Sequence, residues 1–416
     1  MKKYKSNLMV IFFFIVLFIV ILFNTLLTSF TPYDETWNFQ SVFKMYNSGI
    51  IYRDNNVFIT PLFFMLANLI FHLFNANLLV FRIYGVCIFL LKYILIFFIL
   101  KKLGSSNLLS ILYLSLWLTL DFNNFSCGAN YNQLALVMCL LGILWYVTHY
   151  RKKFYHLGQG LIIFLVLFTK QNIGVYYALG VVLFELLENG LNKKFCINQF
   201  IKLVFFLPCL FVSLIIMYLK GNLIDFINLC FGSLFEFGSS NTVFDKDTLS
   251  CLVAMLFVSI FSVFIIVKSN VENTIKNHVK FLLSLSICLS FAMLPIINVY
   301  HTIMALLFYY LLFIYTLDTL ILREIFSTKL QKRIILLVCF LILVTIFVRI
   351  IFVYYTEDTA FTYFDKSHVF YNAPISEEGL TKINDITNYI TDKRKSNTNV
   401  VVLSYEAAAY MVPLRH

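Results

Sequence analysis

Long apolar runs separated by short polar connections fill nearly the whole chain. A helix needs about 20 consecutive apolar residues, within a range of roughly 17–25, to cross the hydrocarbon core of a bilayer. Runs of that kind lie at residues 8–30, 78–100, 104–121, 134–150, 154–170, 173–190, 199–219, 249–268, 281–298, 301–322 and 334–355. The pattern predicts an all-α polytopic membrane protein with about 11 transmembrane helices.

A further apolar run, VFITPLFFMLANLIFHLFN at residues 57–75, has a different pattern. Its polar residues Asn68, His72 and Asn75 recur at i, i+4 and i+7, so a helix would carry them as one stripe on an otherwise apolar surface. Such a helix is suited to lie in the plane of the membrane interface. We therefore expect residues 31–77 to form a first external loop with juxtamembrane helices.

The connections between the runs are alternately rich and poor in lysine and arginine. If 57–75 does not cross, the rich connections share one side, and positive residues favour the cytoplasmic side of a membrane. This distribution predicts a cytoplasmic N-terminus and an extracytoplasmic C-terminus. A crossing at 57–75 would instead move most basic loops outside. The basic residues of the rich connections lie at 2–5, 101–102, 151–153, 193–194, 268–280 and 323–333, and those of the poor connections are Lys44, Arg53, Lys170, Lys220 and Lys246.

The chain changes character near residue 356, where the apolar runs give way to a polar tail. We expect residues 1–355 to form a transmembrane domain and residues 356–416 a small C-terminal extracytoplasmic α/β segment. The final stretch, NVVVLSYEAAAYMVPLRH, has the pattern of a strand that leads into a helix. It reads as the start of an external domain, and the sequence leaves open whether that domain is complete.

Composition agrees with a lipid environment and excludes a soluble fold. Hydrophobic residues make up 61% of the 416 residues and charged residues 13%, against about 45–50% and 25% in soluble domains. The net charge of +11 does not indicate nucleic-acid binding, because no basic stripe interleaves with aromatic residues. The 9 cysteines lie singly and without a C-x-x-C motif, which favours packing over metal binding or disulfides.

Asp34 and Glu35 stand side by side just after the first apolar run, in FTPYDETWNFQ. One interpretation is local, because an Asp cap followed by a Glu in the first turn stabilises a helix N-terminus, and Phe39, Phe43 and Tyr46 follow at helical spacing. The other interpretation is functional, because a carboxylate at an external surface can act as a base. The local sequence does not separate the two.

Cationic residues are predicted on the same side as this acidic pair. Arg82 lies about one turn inside its run, where a charge is costly enough to indicate function, although snorkelling to the headgroups is the alternative. Lys170, in TKQN, is at a helix end where snorkelling is equally common, and His301, in NVYH, is by itself typical of a loop histidine. Lys92 lies deeper in the same run as Arg82, could pair internally or snorkel inward, and is assigned no role.

The order of these features resembles the GT-C superfamily of membrane glycosyltransferases, which includes aminoarabinose transferases and protein O-mannosyltransferases. PYDETWNF matches the family's acidic pair in a long first external loop, and TPLFFMLANLIFHLFNANLLVFRI matches its Pro-Leu-aromatic helix and arginine-containing second span. LFTKQNIG resembles the family's TKG-like turn, and NVYHTIMALL its aromatic approach to a late span. The likeness covers roughly residues 8–320. ITPLFF has one proline where many relatives have two, and TKQN lacks the glycine after lysine, which leaves the sugar and acceptor open.

The resemblance implies a catalytic transmembrane domain that moves a sugar from a polyprenyl-phosphate donor to a hydroxyl of a lipid, glycan or protein at the outer membrane face, with inversion. Asp34 would be the general base, and Glu35 would orient the acceptor. A divalent cation, Mg²⁺ or Mn²⁺, is a candidate cofactor with Asp34 and Glu35 as its ligands. No organic cofactor and no nucleic-acid partner are expected. The residues expected to bind the phosphate or substrate are Arg53, Arg82, Lys170 and His301.

Other functions are compatible with this class of protein. A flippase or transporter for a lipid-linked glycan would need charges buried midway along several spans and broken helices at the midplane, and the sequence has little of either. A polysaccharide polymerase or ligase is chemically close, but its site would lie in a different large external loop. A non-catalytic scaffold is the remaining alternative.

Overall fold

The structure is a computed structural model that describes residues 2–27, 34–121, 129–232, 246–267, 271–294, 297–319, 361–363, 370 and 374–393. The described part is almost entirely helical. Its helices are α1 Lys2–Leu27, α2 Asp34–Tyr46, α3 Leu62–Leu73, α4 Leu78–Lys102, α5 Asn107–Asp121, α6 Tyr131–His149, α7 Tyr155–Thr169, α8 Gln171–Asn189, α9 Lys193–Leu219, α10 Leu223–Ile227, α11 Lys246–Val267, α12 Asn273–Ser290, α13 Val299–Leu317 and α14 Glu377–Lys393. A π-helix, Asn228–Gly232, follows α10, and a 3₁₀ turn, Phe291–Met293, follows α12.

The described helices include 6 that are long and apolar enough to cross a membrane, namely most of α1 together with α4, α6, α9, α11 and α13. Four others, α5, α7, α8 and α12, occupy runs that the sequence predicts to span. Two of these, α5 and α7, have 15 residues each, so at about 22 Å they are shorter than a hydrocarbon core of about 30 Å. The chain is a helical multi-pass membrane protein, as predicted. The predicted span at 334–355 and the predicted strand and helix at 399–416 lie outside the described residues.

Helix α3 covers only part of the apolar run at 57–75. It has 12 residues, about 18 Å of helix, which is too short to cross the hydrocarbon core. One face buries Phe63, Phe64, Ala67 and Phe71, while His72 is exposed. The helix therefore packs one side on the protein and leaves the other side open, as an interfacial helix does.

Asparagine side chains begin four of the described helices. Asn77, Asn130, Asn192 and Asn298 precede α4, α6, α9 and α13, and each side chain accepts a hydrogen bond from a backbone N–H in or just before the first turn. Asparagine is among the best N-cap residues because its oxygen satisfies an amide that has no partner within the helix. The abundant asparagines of the polar connections therefore fix where these helices start.

Connections that are distant in sequence meet at one end of the bundle, which we call the Lys170 end. Thr60 Oγ1 donates to the Leu167 carbonyl at 2.8 Å, which joins the loop before α3 to the last turn of α7. Asn222 Nδ2 donates to the Ile51 carbonyl at 2.8 Å, which joins the same loop to the connection after α9. These hydrogen bonds bring together the predicted external connections that contain Arg53, Lys170 and Lys220.

The segment between α1 and α4 begins and ends at this same end of the bundle. Helices α1 and α4 pack together, and Arg82 near the start of α4 donates to the carbonyl of Thr25 near the end of α1 at 3.2 Å. Since the two adjoining termini are side by side, the intervening chain returns to the side from which it left. This is the arrangement expected of a segment that does not cross the membrane.

Helices α7 and α9 approach each other closely at a glycine. A Cβ atom added at Gly160 would lie 2.2 Å from the backbone oxygen of Lys202, so any larger residue would separate the two helices. The close contact fixes the direction of α7, whose last residue, Thr169, directly precedes Lys170. The position of Lys170 therefore depends on packing along the length of α7.

The described part of the C-terminal segment contains a small antiparallel pair of strands, β1 Phe361–Tyr363 and β2 Pro374–Ser376, followed by α14. Phe370 is buried, and its ring lies 5.8 Å from the ring of Phe39 on α2. The C-terminal segment therefore contacts the helix that begins at Asp34.

Candidate functional site

Glu35 and Arg82 form a buried ion pair. Both side chains are 2% exposed, and Arg82 Nε and Nη2 each donate to one Glu35 oxygen at 2.8 Å. The planar guanidinium matches a carboxylate in this two-bond geometry, which makes the pair strong and directional. Together with the bond from Arg82 to Thr25, it ties α1, α2 and α4 into one unit.

The ion pair changes the interpretation of two residues predicted to act on substrate. Each Glu35 oxygen accepts one hydrogen bond from Arg82, and the predicted role of Glu35 as a ligand for a divalent cation stays a prediction. Within the described residues, no group of three or more His, Cys, Asp and Glu side chains lies together as a metal site would need. Both charged groups are engaged with each other within the protein, and their predicted roles toward substrate stay predictions.

Helix α2 is also held by aromatic packing. The ring of Phe39 lies 5.7 Å from the rings of Phe43 and Phe71, and 5.8 Å from that of Phe81. These contacts join α2 to α3 and α4, with the edge-to-face geometry that aromatic pairs prefer in two of the three. Asp34 is the first residue of this fixed helix, and its side chain lies outside the described part of the structure.

Asn38, one helical turn after Asp34, is a buried polar residue that the sequence did not single out. Its side chain is 0% exposed, and neither its amide nitrogen nor its amide oxygen has a hydrogen-bond partner within the described part of the chain. An unpartnered buried amide is costly. The helical spacing of Asn38 from Asp34, i to i+4, places both residues on one face of α2.

Lys170 occupies the junction between α7 and α8, where the backbone is extended. The residue is 7% exposed, its ammonium donates to Asn132 Oδ1 at the start of α6, and it lies 5.5 Å from the centre of the Tyr131 ring. The next residue, Gln171, donates to the carbonyl of Phe58 at 2.6 Å. This buried cation is therefore held at a fixed position by three connections of the Lys170 end.

A pocket lies beside Lys170, and His301 from the first turn of α13 lines it too. The remaining lining is apolar and includes Leu136, Leu289 and Phe308. Two of the four residues predicted to bind phosphate or substrate are thus brought together. An apolar pocket with a few fixed polar groups is the usual form of a small-molecule site.

Arg53 lies apart from these groups on the surface. Its side chain is 50% exposed and pairs with that of its neighbour Asp54 at 3.3 Å. The pKa of Asp54 is lowered because its carboxylate accepts a hydrogen bond from the backbone of Ile50 and a second from Arg53. The contacts of Arg53 in this structure are those of a surface loop, and its predicted role in substrate binding stays a prediction.

Lys92 and Asp121 form a second buried ion pair that sequence reasoning did not find. The Lys92 ammonium donates to Asp121 Oδ2 and, at 2.7 Å, to Gln133 Oε1. The hydroxyl of Tyr93 donates to the same Asp121 oxygen at 3.0 Å. The sequence does show a lysine within one apolar run and an acidic residue at the end of the next run. Their depths in the membrane cannot be compared from sequence, because these depend on the tilt and length of α4 and α5.

The opposite end of the bundle carries a third buried network, centred on Glu185 of α8. Glu185 pairs with Lys202 of α9 at 2.7 Å and with His156 of α7 at 3.3 Å, and it accepts a hydrogen bond from Gln199 at 2.8 Å. These contacts link three helices. In the described residues, this network is separate from the pocket beside Lys170.

Comparison with known proteins establishes the fold. No protein-family model matches the sequence, and no curated protein matches it. The crystal structure of ArnT from Cupriavidus metallidurans bound to undecaprenyl phosphate is 12% identical to this chain, covers 98% of it and 84% of its own length, and has a TM-score of 0.61. ArnT from the same organism in the apo state has the same identity and coverage and a TM-score of 0.60.

ArnT is an aminoarabinose transferase with a GT-C glycosyltransferase fold. At 12% identity, the likeness concerns the path of the chain, and the activity has to be argued from the residues of this protein. The chain shares the fold of ArnT, and the resemblance found in its sequence is confirmed at the level of the fold.

Proposed function

We propose that this protein transfers a sugar from a polyprenyl-phosphate donor to a hydroxyl acceptor at the outer face of the cell membrane. The observation that carries the proposal is the apolar pocket that holds the buried ammonium of Lys170. A polyprenyl phosphate combines an anionic group with a long apolar chain, and this pocket offers a cation within an apolar wall. The ArnT structure with undecaprenyl phosphate bound has the same fold.

Asp34 is the proposed general base. A hydroxyl attacks effectively only when a positioned group removes its proton in the transition state. Asp34 begins α2 at the Lys170 end, and the Glu35–Arg82 pair and the packing of Phe39 fix that helix against α4. Glu35 and Arg82 thus act through Asp34 as positioning residues.

Lys170 is the proposed partner of the leaving group. The bond between the anomeric carbon and the phosphate oxygen breaks as the acceptor oxygen bonds to that carbon from the opposite face, so the configuration inverts. The departing phosphate gains negative charge, and a fixed cation in a site of low dielectric constant stabilises that charge without reorganisation. The apolar lining of the pocket supplies such surroundings for Lys170.

We place the Lys170 end on the extracytoplasmic side, with the N-terminus in the cytoplasm and the C-terminus outside. The connections rich in lysine and arginine support this orientation, because these residues prefer the cytoplasmic side. In this arrangement residues 1–355 form the catalytic domain and residues 356–416 an extracytoplasmic segment, whose Phe370 contacts α2. The transferred sugar is a hexose or a pentose, and the acceptor is a lipid, glycan or protein hydroxyl.

The test is the release of sugar from a panel of radiolabelled undecaprenyl-phosphate hexoses and pentoses by the purified protein in lipid vesicles, with and without a chelator. Wild type is expected to use one donor, and the comparison with the chelator shows whether a divalent cation takes part. Asp34→Asn is expected to lose about 10²–10⁴-fold in turnover, while its dissociation constant for the donor stays within about twofold. Asp54→Asn, an exposed carboxylate of the same loop, is the matched control and should turn over normally. Unchanged turnover in Asp34→Asn would remove Asp34 from the reaction.

The buried Lys92–Asp121 pair gives one reason to keep a lipid-linked glycan flippase as the second candidate. Charges buried inside spans are what a transporter uses along its pathway, and Lys92 is 0% exposed. The same vesicles separate the two functions. A flippase would move a fluorescent polyprenyl-phosphate sugar between leaflets without releasing the sugar, and Asp34→Asn would leave that movement unchanged.

A further inference from the structure

The hydrogen bonds of His301 fix which of its ring nitrogens carries a proton. Asn298 Oδ1 accepts from the backbone N–H of His301 at 3.0 Å and lies 2.8 Å from His301 Nδ1. An N–H can only donate, so the atom of Asn298 at this position is its oxygen, which can only accept. His301 Nδ1 must therefore carry a hydrogen and donate it. The nitrogen that remains for a ligand is Nε2.

The positive charge in the pocket determines whether Nε2 of His301 donates or accepts hydrogen bonds. Lys170 lines the same pocket, and a second positive charge close to an ammonium in apolar surroundings is disfavoured. His301 is therefore neutral, and in a neutral imidazole with a hydrogen on Nδ1, Nε2 carries a lone pair and accepts hydrogen bonds. No described residue donates to Nε2. The pocket thus presents one cation and one hydrogen-bond acceptor.

This pair of groups does not suit a phosphate alone. A phosphate dianion has only acceptor oxygens, which the Lys170 ammonium attracts and the lone pair of Nε2 repels. A hydroxyl donor next to the phosphate satisfies both groups. On a polyprenyl-phosphate sugar, the hydroxyls closest to the phosphate are those of the sugar ring.

We propose that His301 determines donor specificity by accepting a hydrogen bond at Nε2 from a hydroxyl of the phosphate-linked sugar, while Lys170 holds the phosphate. The inference rests on the proposed function and narrows it, because the resemblance implies only that His301 binds the phosphate or another part of the substrate. A site that hydrogen-bonds a substrate hydroxyl rejects the analogue that lacks it, since its own polar group is then left unpartnered. The donor must therefore carry a free hydroxyl at the position that reaches Nε2.

The experiment measures dissociation constants of two probes for the full-length protein in detergent. One probe is undecaprenyl phosphate, and the other is the undecaprenyl-phosphate hexose or pentose that wild type binds most tightly. His301→Phe keeps a ring in the pocket but removes the acceptor. We expect it to weaken binding of the sugar-carrying probe by about tenfold, the value of one ordinary hydrogen bond, and to leave binding of undecaprenyl phosphate within about twofold. His301→Gln, whose amide oxygen accepts, should restore most of the loss.

Asn298→Asp gives a second and independent readout. Aspartate still caps α13 and still accepts from Nδ1, but its negative charge favours the imidazolium form, which converts Nε2 from an acceptor into a donor. This variant should bind undecaprenyl phosphate more tightly than wild type and the sugar-carrying probe less tightly. Thermal unfolding of each variant shows that the fold is retained.

The outcomes distinguish this inference from the proposed function. Equal weakening of both probes in His301→Phe would make His301 a phosphate ligand, and equal affinity of wild type for both probes would show that no sugar hydroxyl is bound; either result overturns the inference while the transferase remains. A protonated phosphate oxygen as the donor to Nε2 would appear as a loss confined to undecaprenyl phosphate. Failure of wild type to bind either probe would overturn the proposed function itself.

Discussion

Arg82 and Lys170 are both buried cations at the same end of the bundle, yet their surroundings differ. Arg82 faces a carboxylate, with two bonds of 2.8 Å to Glu35. Lys170 faces the neutral amide oxygen of Asn132 and an apolar pocket. The Glu35–Arg82 pair is not part of the pocket lining, whereas Lys170 is.

The difference shows which buried charge serves a ligand. Burying an ion is costly, and the cost is offset when an opposite charge lies in good geometry beside it. The Glu35–Arg82 pair meets this condition without a ligand, and so does the pair of Glu185 and Lys202 at the opposite end. Lys170 lines the pocket, so an anion such as a phosphate that enters the pocket would meet its ammonium. Burial alone therefore marks architecture, and burial beside a pocket marks a binding site.

The largest expected effect is on stability and comes from separating the Glu35–Arg82 pair. Either Glu35→Leu or Arg82→Met leaves one charged side chain buried without its partner, which costs about 3–5 kcal/mol in comparable pairs. The double variant Glu35→Leu with Arg82→Met removes both charges and should recover most of that loss. The free energy of unfolding in detergent micelles, measured for the four proteins as a double-mutant cycle, checks this expectation.

The buried pair of Glu185 and Lys202 at the opposite end is a control for whether separating an ion pair affects stability alone or also affects ligand binding. Glu185→Gln leaves Lys202 without its buried carboxylate partner and should also destabilise the fold. It should leave the dissociation constant for undecaprenyl phosphate unchanged, because this network is far from the pocket in the contacts described. If Arg82→Met were as stable as wild type but failed to bind the lipid, Arg82 would be a phosphate ligand, and the contrast with Lys170 would disappear.

The next effect in size is on turnover and comes from Lys170→Met. Removal of one group that stabilises developing negative charge costs about 10²–10³-fold in kcat in well-studied enzymes, and we expect a loss of that order. Methionine keeps the length and apolar body of the side chain, so the change in unfolding free energy should be small beside that of Arg82→Met. Lys220→Met, at an exposed lysine that ends α9, is the control and should behave as wild type. If Lys170→Met were strongly destabilised but catalytically normal, Lys170 would be the structural cation and would not serve the phosphate.

Much of the fold followed from patterns that act locally. The spans are visible because lipid requires about 20 apolar residues in a row, and the run at 57–75 stood apart because its polar residues recur with the period of a helix. The helix starts at Asn77 and Asn298 follow from the capping chemistry of asparagine, which acts within one turn. The grouping of Lys170 with His301 at one end followed from the alternation of basic connections.

The pairing of buried charges could not be predicted from such local patterns in the sequence. Glu35 and Arg82 are 47 residues apart in sequence, and whether they meet depends on the path of α3 and on the packing of Phe39 between α2 and α4. Lys92 and Asp121 meet because the short α5 ends beside the middle of α4, and helix depth is not encoded in the spacing of apolar residues. The role of Asp34, whose side chain is outside the described residues, remains a prediction from sequence and resemblance.

The smallest expected effect comes from Arg53→Ala, which extends the comparison of buried cations to an exposed cation. Arg53 is half exposed and pairs with the adjacent Asp54, whose carboxylate also accepts a bond from the backbone of Ile50, so the loop keeps its shape without the guanidinium. Exposed ion pairs contribute little because water and salt screen them. We therefore expect kcat and the dissociation constant for undecaprenyl phosphate to change by less than about threefold, and the unfolding midpoint to stay unchanged. A loss of tenfold or more would mean that this loop folds over the bound donor, and that an exposed cation as well as the buried Lys170 serves the phosphate.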